Sequence, residues 1–224
     1  MVLSEDKIKK SIMDELFWDS SVDDGDVHVE VEDGEVSLTG TVSSYLARQA
    51  AERDAWVAGG MPVRNHLNVR KPSGRKPLSD EEIEEKINNA LFWNPDIESS
   101  NLKVNVDTGF VTLEGTVESF WQKINVSRVA GDIAGVVNIT NKLAVVPTRD
   151  IEDETIAERI IRALERNVYI DIEEIEVKVE GGKVTLSGTV PDWLAYDTVY
   201  SAAQFTSGVK EVINKLAIGQ PTEL

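Results

Sequence analysis

The sequence predicts an α+β protein built from three tandem α-β-β-α-β modules, each a small three-stranded mixed sheet with two helices on one face. Three observations carry this. The pattern V-x-V-x-x-G-x-V-x-L-x-G-T-V occurs at 29–42, 104–117 and 177–190. An I-x-x-x-I-x-x-x-L pattern precedes each copy, at Ile8-Ile12-Leu16, Ile83-Ile87-Leu91 and Ile156-Ile160-Leu164. Its leucine stands 24 residues before the second hairpin glycine every time, so the repeat keeps one register. A short alternating stretch then closes each copy, at 63–69, 139–145 and 212–218.

Each element follows from its pattern. The i, i+4, i+8 spacing predicts amphipathic helices over 4–18, 79–93 and 153–166. Ser4 stands at an N-cap position with Glu5 and Asp6 behind it. Ser79 with Glu82 three residues on reads as a capping box. In the hairpins, apolar and polar residues alternate on both sides of a turn. Gly34, Gly109 and Gly182 fall where that turn needs positive φ. Gly40, Gly115 and Gly188 lie inside the second strand, where glycine costs about 0.5–1 kcal/mol against alanine. A helix packed close to the backbone, or a bulge, is the expected reason.

Second helices are predicted over 44–58, 119–133 and 192–206, with alanine-rich inner faces that allow close approach to a sheet. The first copy is one residue shorter between hairpin and following glycine. The crossover from second to third strand implies a right-handed, parallel connection. Domain limits follow: repeats at 1–70, 78–147 and 148–220, with a linker at 71–77 marked by proline and glycine. The second join is shorter, so repeats two and three are expected to sit closer together than either does to repeat one.

Composition narrows the function. The chain has 224 residues, no cysteine, two histidines and a net charge of −17. Disulfides and Cys-ligated metals are excluded. The charge is spread, with −7 over 1–70, −5 over 76–147, −7 over 148–224 and +2 over 71–75. No folded segment is basic, which argues against nucleic acid as a partner and against simple adsorption to anionic lipid. No apolar run is long enough to span a membrane. The N-terminus has no signal-peptide core, so the reading as written is cytoplasmic, or periplasmic if a leader has been removed.

The residues carry a family resemblance. The first-helix spacing, the hairpin motif and the closing glycine with V-x-N-x-L (Gly135–Leu143 and Gly208–Leu216; GGMPVRNHL in the first copy) resemble the BON domain, named for bacterial osmotic-stress and nodulation proteins. The resemblance implies a non-enzymatic module of stress-linked or envelope-maintaining bacterial proteins. It also implies association with phospholipid or at membranes. Relatives usually carry two copies and a leader peptide; this chain has three copies and shows no leader.

Candidate sites are few. No nucleophile–base constellation appears, and His28 and His66 fall on the polar strand positions, so no catalytic residue is assigned. No metal ligand or cofactor is assigned either. The acidic loop at 19–26 lacks the spacing and bidentate glutamate of a calcium loop. Aromatic residues at helix ends are the binding candidates: Trp18 and Trp93 after Phe17 and Phe92, then Tyr45, Phe120 and Trp193 at one equivalent position, and Trp121 beside Phe120. They either close the small cores or present an apolar surface to lipid or a protein partner. Trp56 is unmatched in the other copies. The competing reading is a soluble stress protein that binds a small ligand or cation through acidic loops.

Overall fold

A computed structural model describes residues 4–22, 26–70, 77–167, 170 and 174–219. The first repeat contains α1 (Glu5–Trp18), β1 (Val27–Glu32), β2 (Glu35–Val42), α2 (Tyr45–Gly59) and β3 (Val63–Val69). The second contains α3 (Asp80–Phe92), β4 (Leu102–Asp107), β5 (Phe110–Val117), α4 (Phe120–Gly131), β6 (Asn138–Asn141) and β7 (Ala144–Val145). The third contains α5 (Asp153–Glu165), β8 (Ile175–Glu180), β9 (Lys183–Val190), α6 (Trp193–Gln204) and β10 (Glu211–Ile218). The α+β class and the threefold α-β-β-α-β order are as the sequence predicts. Most of the linker expected at 71–77 lies outside the described residues.

In every repeat the hairpin's second strand is central. β1 runs antiparallel to β2, and β3 parallel to β2. The third repeat repeats this with β8, β9 and β10. The closing strand of the second repeat, expected to be continuous over 139–145, is broken into β6 and β7. Both pieces pair parallel with β5, Leu113 opposite Asn141 and Thr116 opposite Ala144. The offset is the same on both sides, so the ladder is interrupted without a shift of register.

Contacts divide the chain into two compact units that share out the middle repeat: 1–94, 104–113 and 127–141 in one, 95–103, 114–126 and 142–224 in the other. In the first unit, Ile8, Ile12 and Leu16 of α1 cluster with Val29, Val36, Leu38 and Leu67 of the sheet and Ala47, Ala51 and Ala55 of α2. In the second, Ile156, Ile160 and Leu164 cluster with Val184, Leu186, Val199, Ala203 and Leu216. Burying one such aliphatic side chain stabilises by about 1.5–3 kcal/mol. The period-4 motif and the alternating strands supply these side chains from opposite sides of each core.

Helix ends refine the sequence reading. Ser79 forms the expected capping box: its Oγ accepts from Glu82 N at 3.2 Å, and its own N donates to Glu82 Oε2 at 2.7 Å. Ser4 occupies the N-cap of α1 but its side chain makes no capping bond. The first repeat, one residue shorter after its hairpin, nevertheless has the longer second helix. α2 has 15 residues against 12 in α4 and α6, and ends at left-handed Gly60, φ 62°. Trp56 sits just before the three extra residues, half-buried.

The in-strand glycines correct an expectation. Gly40, Gly115 and Gly188 have φ of 116°, 120° and 125°. No helix is what approaches them. A Cβ on each would overlap the carbonyl oxygen of the residue just before the first hairpin strand: Asp26, Asn101 and Glu174 respectively.

Candidate functional site

The aromatic candidates fall into two groups. Trp18 and Trp93 are each 79% exposed, at the C-terminal ends of α1 and α3. The core residues Leu16 and Leu91 lie two positions earlier, so helical geometry carries the next two rings away from the core. Each indole meets the preceding exposed phenyl edge-on. The Phe17–Trp18 and Phe92–Trp93 centroids are both 5.3 Å apart, at 82° and 84°. One ring-pair geometry is therefore built twice, at the same place in two repeats. In the third repeat Glu165 and Arg166 stand there.

The other four candidates are half-buried. Tyr45 packs against Gly131, where an added Cβ would come 2.8 Å from its Cδ1. The tyrosine hydroxyl accepts from Gln49 Nε2 at 3.0 Å, and burial pushes its pKa up. Phe120 packs against the core of the third repeat. Trp121 lies 6.0 Å from the ring of Phe205, on α6's C-cap. Trp193 stacks on Tyr196 at 5.1 Å. The middle repeat thus touches its neighbours on both sides: the first through Gly131, the third through Phe120 and Trp121.

The sequence did not single out Asp54. It is 5% exposed on α2, between alanines that face the core. Its Oδ1 accepts from Arg53 Nε at 3.1 Å and Nη2 at 2.9 Å, while Oδ2 has no hydrogen-bond partner among the described residues. Arg53 Nη2 also reaches Asp19 Oδ2 at 2.9 Å. Burial, followed by the neighbouring Asp19 carboxylate, pushes Asp54 up to about 6. Asp19 moves the other way, because the hydroxyl and backbone N–H of Ser21 donate to it at 2.6 and 2.8 Å. The available signal was an acidic residue three positions after core-facing Ala51, where the equivalent positions hold Val129 and Ala202.

Asp19 belongs to the acidic loop considered for calcium, and its carboxylate is occupied by protein donors. Asp26 at the loop's other end pairs with Arg70. Residues 23–25 lie outside the described ones. Among the described residues no group of three acidic or histidine side chains is placed to hold a metal ion. His28 and His66 are exposed on the outer sheet face, in one row with Thr39 between them. Among the described residues no helix is long and apolar enough to cross a membrane.

Two cavities occupy equivalent places at the foot of repeats two and three, of about 1040 and 220 Å³. Asp80 lines the first and Asp153 the second. Both carboxylates are committed to the hairpin turn: Asp80 accepts from Thr108 N and Gly109 N at 2.7 and 2.9 Å, Asp153 from Gly181 N and Gly182 N at 2.6 and 2.8 Å.

The fold and its surface define a tandem-repeat protein of small α+β modules, near-copies in the core and different at the exposed helix tips. The chain belongs to the BON domain family, whose profile matches residues 4–71, 79–147 and 152–220. It is 30% identical over 145 residues to Osmotically-inducible protein Y of Escherichia coli (strain K12), covering 62% of this chain and 72% of that protein. It is 28% identical over 142 residues to the uncharacterized protein in the gshII 5′ region of Anaplasma centrale, covering 61% and 93%. A structural likeness to CdsD, a structural protein of the type III secretion system of Chlamydia trachomatis, covers 95% of this chain and 92% of that one. At 14% identity and a TM-score of 0.26 it carries no argument about the fold.

Proposed function

We propose that the chain is a non-enzymatic, stress-linked binding protein that associates with phospholipid membrane through its exposed aromatic pairs. The observation that supports this is the duplicated edge-on pair, Phe17–Trp18 and Phe92–Trp93, left in water by two separate helices. A ring moved from water into an apolar surface contributes about 1.5–3 kcal/mol. Tryptophan suits a headgroup interface because its ring is apolar while its N–H still finds a polar partner. The net charge of −17 opposes an anionic bilayer, so apolar contact has to supply the attraction. The stress link rests on the relative's being osmotically inducible and comes to this chain by family.

Vesicle co-sedimentation tests the reading. Neutral and anionic liposomes are compared at low and moderate salt, with tryptophan emission followed in the same samples. Binding with a blue shift, stronger to neutral than to anionic vesicles at low salt, is the expected result. The difference should narrow as salt shortens the Debye length. Binding that survives a Trp18→Ala, Trp93→Ala double variant would remove the aromatic pairs from the account. No binding to either vesicle would leave a soluble protein partner, or the small-ligand or cation reading, in its place.

A further inference from the structure

The third repeat lacks the aromatic pair, and what replaces it is a cationic groove. Arg159, Arg162 and Arg166 lie at i, i+3 and i+7, one face at the end of α5 and its C-cap. They line a cavity of about 590 Å³ against α6 and the turn that follows it. Ser201 and Ser207 face them across it, and Phe205, 61% exposed, forms part of the wall. Among the described residues no acidic one lines the cavity. Three of the chain's ten arginines meet here, on a protein with 40 acidic residues.

The ion pairing is incomplete. Arg162 meets Glu158 at 3.0 Å in an exposed i, i+4 pair. Such solvent-exposed pairs are weak and easily exchanged for a better acceptor. Among the described residues Arg159 and Arg166 have no carboxylate partner, and the hydroxyls of Ser201 and Ser207 make no hydrogen bond. Three guanidinium groups on one face repel one another, so an acceptor shared between them is favoured. Planar guanidinium forks match the paired oxygens of a phosphate, and flanking hydroxyls add neutral donors.

We infer that this groove binds a phosphate-bearing anion, with the phosphoryl group on Arg159, Arg162 and Arg166 and an apolar substituent against Phe205. The chemistry is the same whether the phosphate is a free ester or a lipid headgroup. The inference is independent of the aromatic pairs, which belong to the other two repeats.

The full chain is titrated with inorganic phosphate and with phenyl phosphate, against chloride at equal ionic strength, by heteronuclear NMR and thermal shift. Expected are amide shifts confined to α5 and α6, a raised melting temperature and tighter binding of phenyl phosphate. An Arg159→Ala, Arg166→Ala double variant should weaken binding at least tenfold. A Lys103→Ala, Lys178→Ala double variant, an equal loss of charge on the exposed faces of β4 and β8, should not. A third arm uses phosphatidylcholine vesicles with and without phosphatidic acid, in the Trp18→Ala, Trp93→Ala background. Arginine-dependent binding of the phosphatidic acid vesicles alone assigns the lipid source, and of the free esters alone the soluble source. Phosphate acting only as chloride does, binding unchanged in the double arginine variant, or arginine-dependent self-association in place of phosphate binding overturns the proposal.

Discussion

Asp153 holds Gly182 by a hydrogen bond from the glycine N–H to Oδ1 at 2.8 Å, and the same carboxylate takes the N–H of Gly181 at 2.6 Å. The first residue of a helix thereby fastens the tip of a hairpin 29 positions away. Asp80 does the same for the second repeat. In the first repeat Glu5 holds the equivalent place. Hydrogen bonds to a charged acceptor contribute about 1.5–3 kcal/mol each way of counting, and less where water competes. Asp153→Ala should therefore lower the stability of the third repeat by about 1–3 kcal/mol and release the amides of Gly181 and Gly182 to hydrogen exchange. Unchanged exchange at both amides would show that the turn holds without the carboxylate.

Gly115 and Gly34 should separate two costs of replacing a glycine. Gly34 has φ of 78° with open space around it, so Gly34→Ala meets only the left-handed penalty of about 1–2 kcal/mol. Gly115→Ala adds an overlap with the Asn101 carbonyl, which backbone cannot relieve by a rotamer change. A loss of about 3 kcal/mol or more, or failure of that repeat to fold, is expected. Thermal melts of the two variants decide it; equal losses would contradict the close approach.

Asp54 gives the first repeat a pH dependence of defined sign. In the fold it keeps its proton up to about pH 6, whereas the unfolded chain releases it near the ordinary aspartate value of about 3.9. The fold binds the extra proton between those values, so this group's contribution to stability falls as pH rises from about 4 to 6 and is level above. Asp54→Asn should stabilise the repeat by about 1–3 kcal/mol at pH 7.5 and by nearly nothing at pH 4. Asp19, held low by Ser21, acts oppositely: its contribution is present above its unfolded value and lost as pH falls through the lowered one. Hydrogen exchange of α2 amides in the variant and the parent, at the two pH values, isolates the Asp54 part.

Trp18 and Trp93 should account for the water-accessible emission of the protein. Trp56, Trp121 and Trp193 are all half-buried. Replacing Trp18 and Trp93 by phenylalanine should blue-shift the remaining emission and cut acrylamide quenching by more than half. A spectrum unchanged in position would mean that these rings are covered in solution.

The elements were legible because core contacts follow the repeat. Ile12, Ile87 and Ile160 recur at one spacing and all three are fully buried. The bounds of Val63–Val69 are legible to the residue because this strand alternates throughout. The reason for Gly40 was not legible. Its neighbour is a backbone carbonyl, and any residue type can present one. Asp54 carries no such signal, because an acidic residue on an acidic chain gives no contrast; its burial is a matter of tertiary packing. The helix-end aromatics left two readings open, since sequence spacing tells which residues follow the last core leucine but not how far a neighbouring repeat extends over them.

Arg166 stands at the position of Trp18 and Trp93, and this gives the chain a direction. Its cores are close to periodic, so the three modules are nearly interchangeable as folds. Their exposed tips are not: two are apolar, and the third is ionic. Removing the first or the last module would leave protein of the same architecture with different surface chemistry. Exchanging the order of modules would keep the contacts within each module's own core and reverse the chemical polarity of the array.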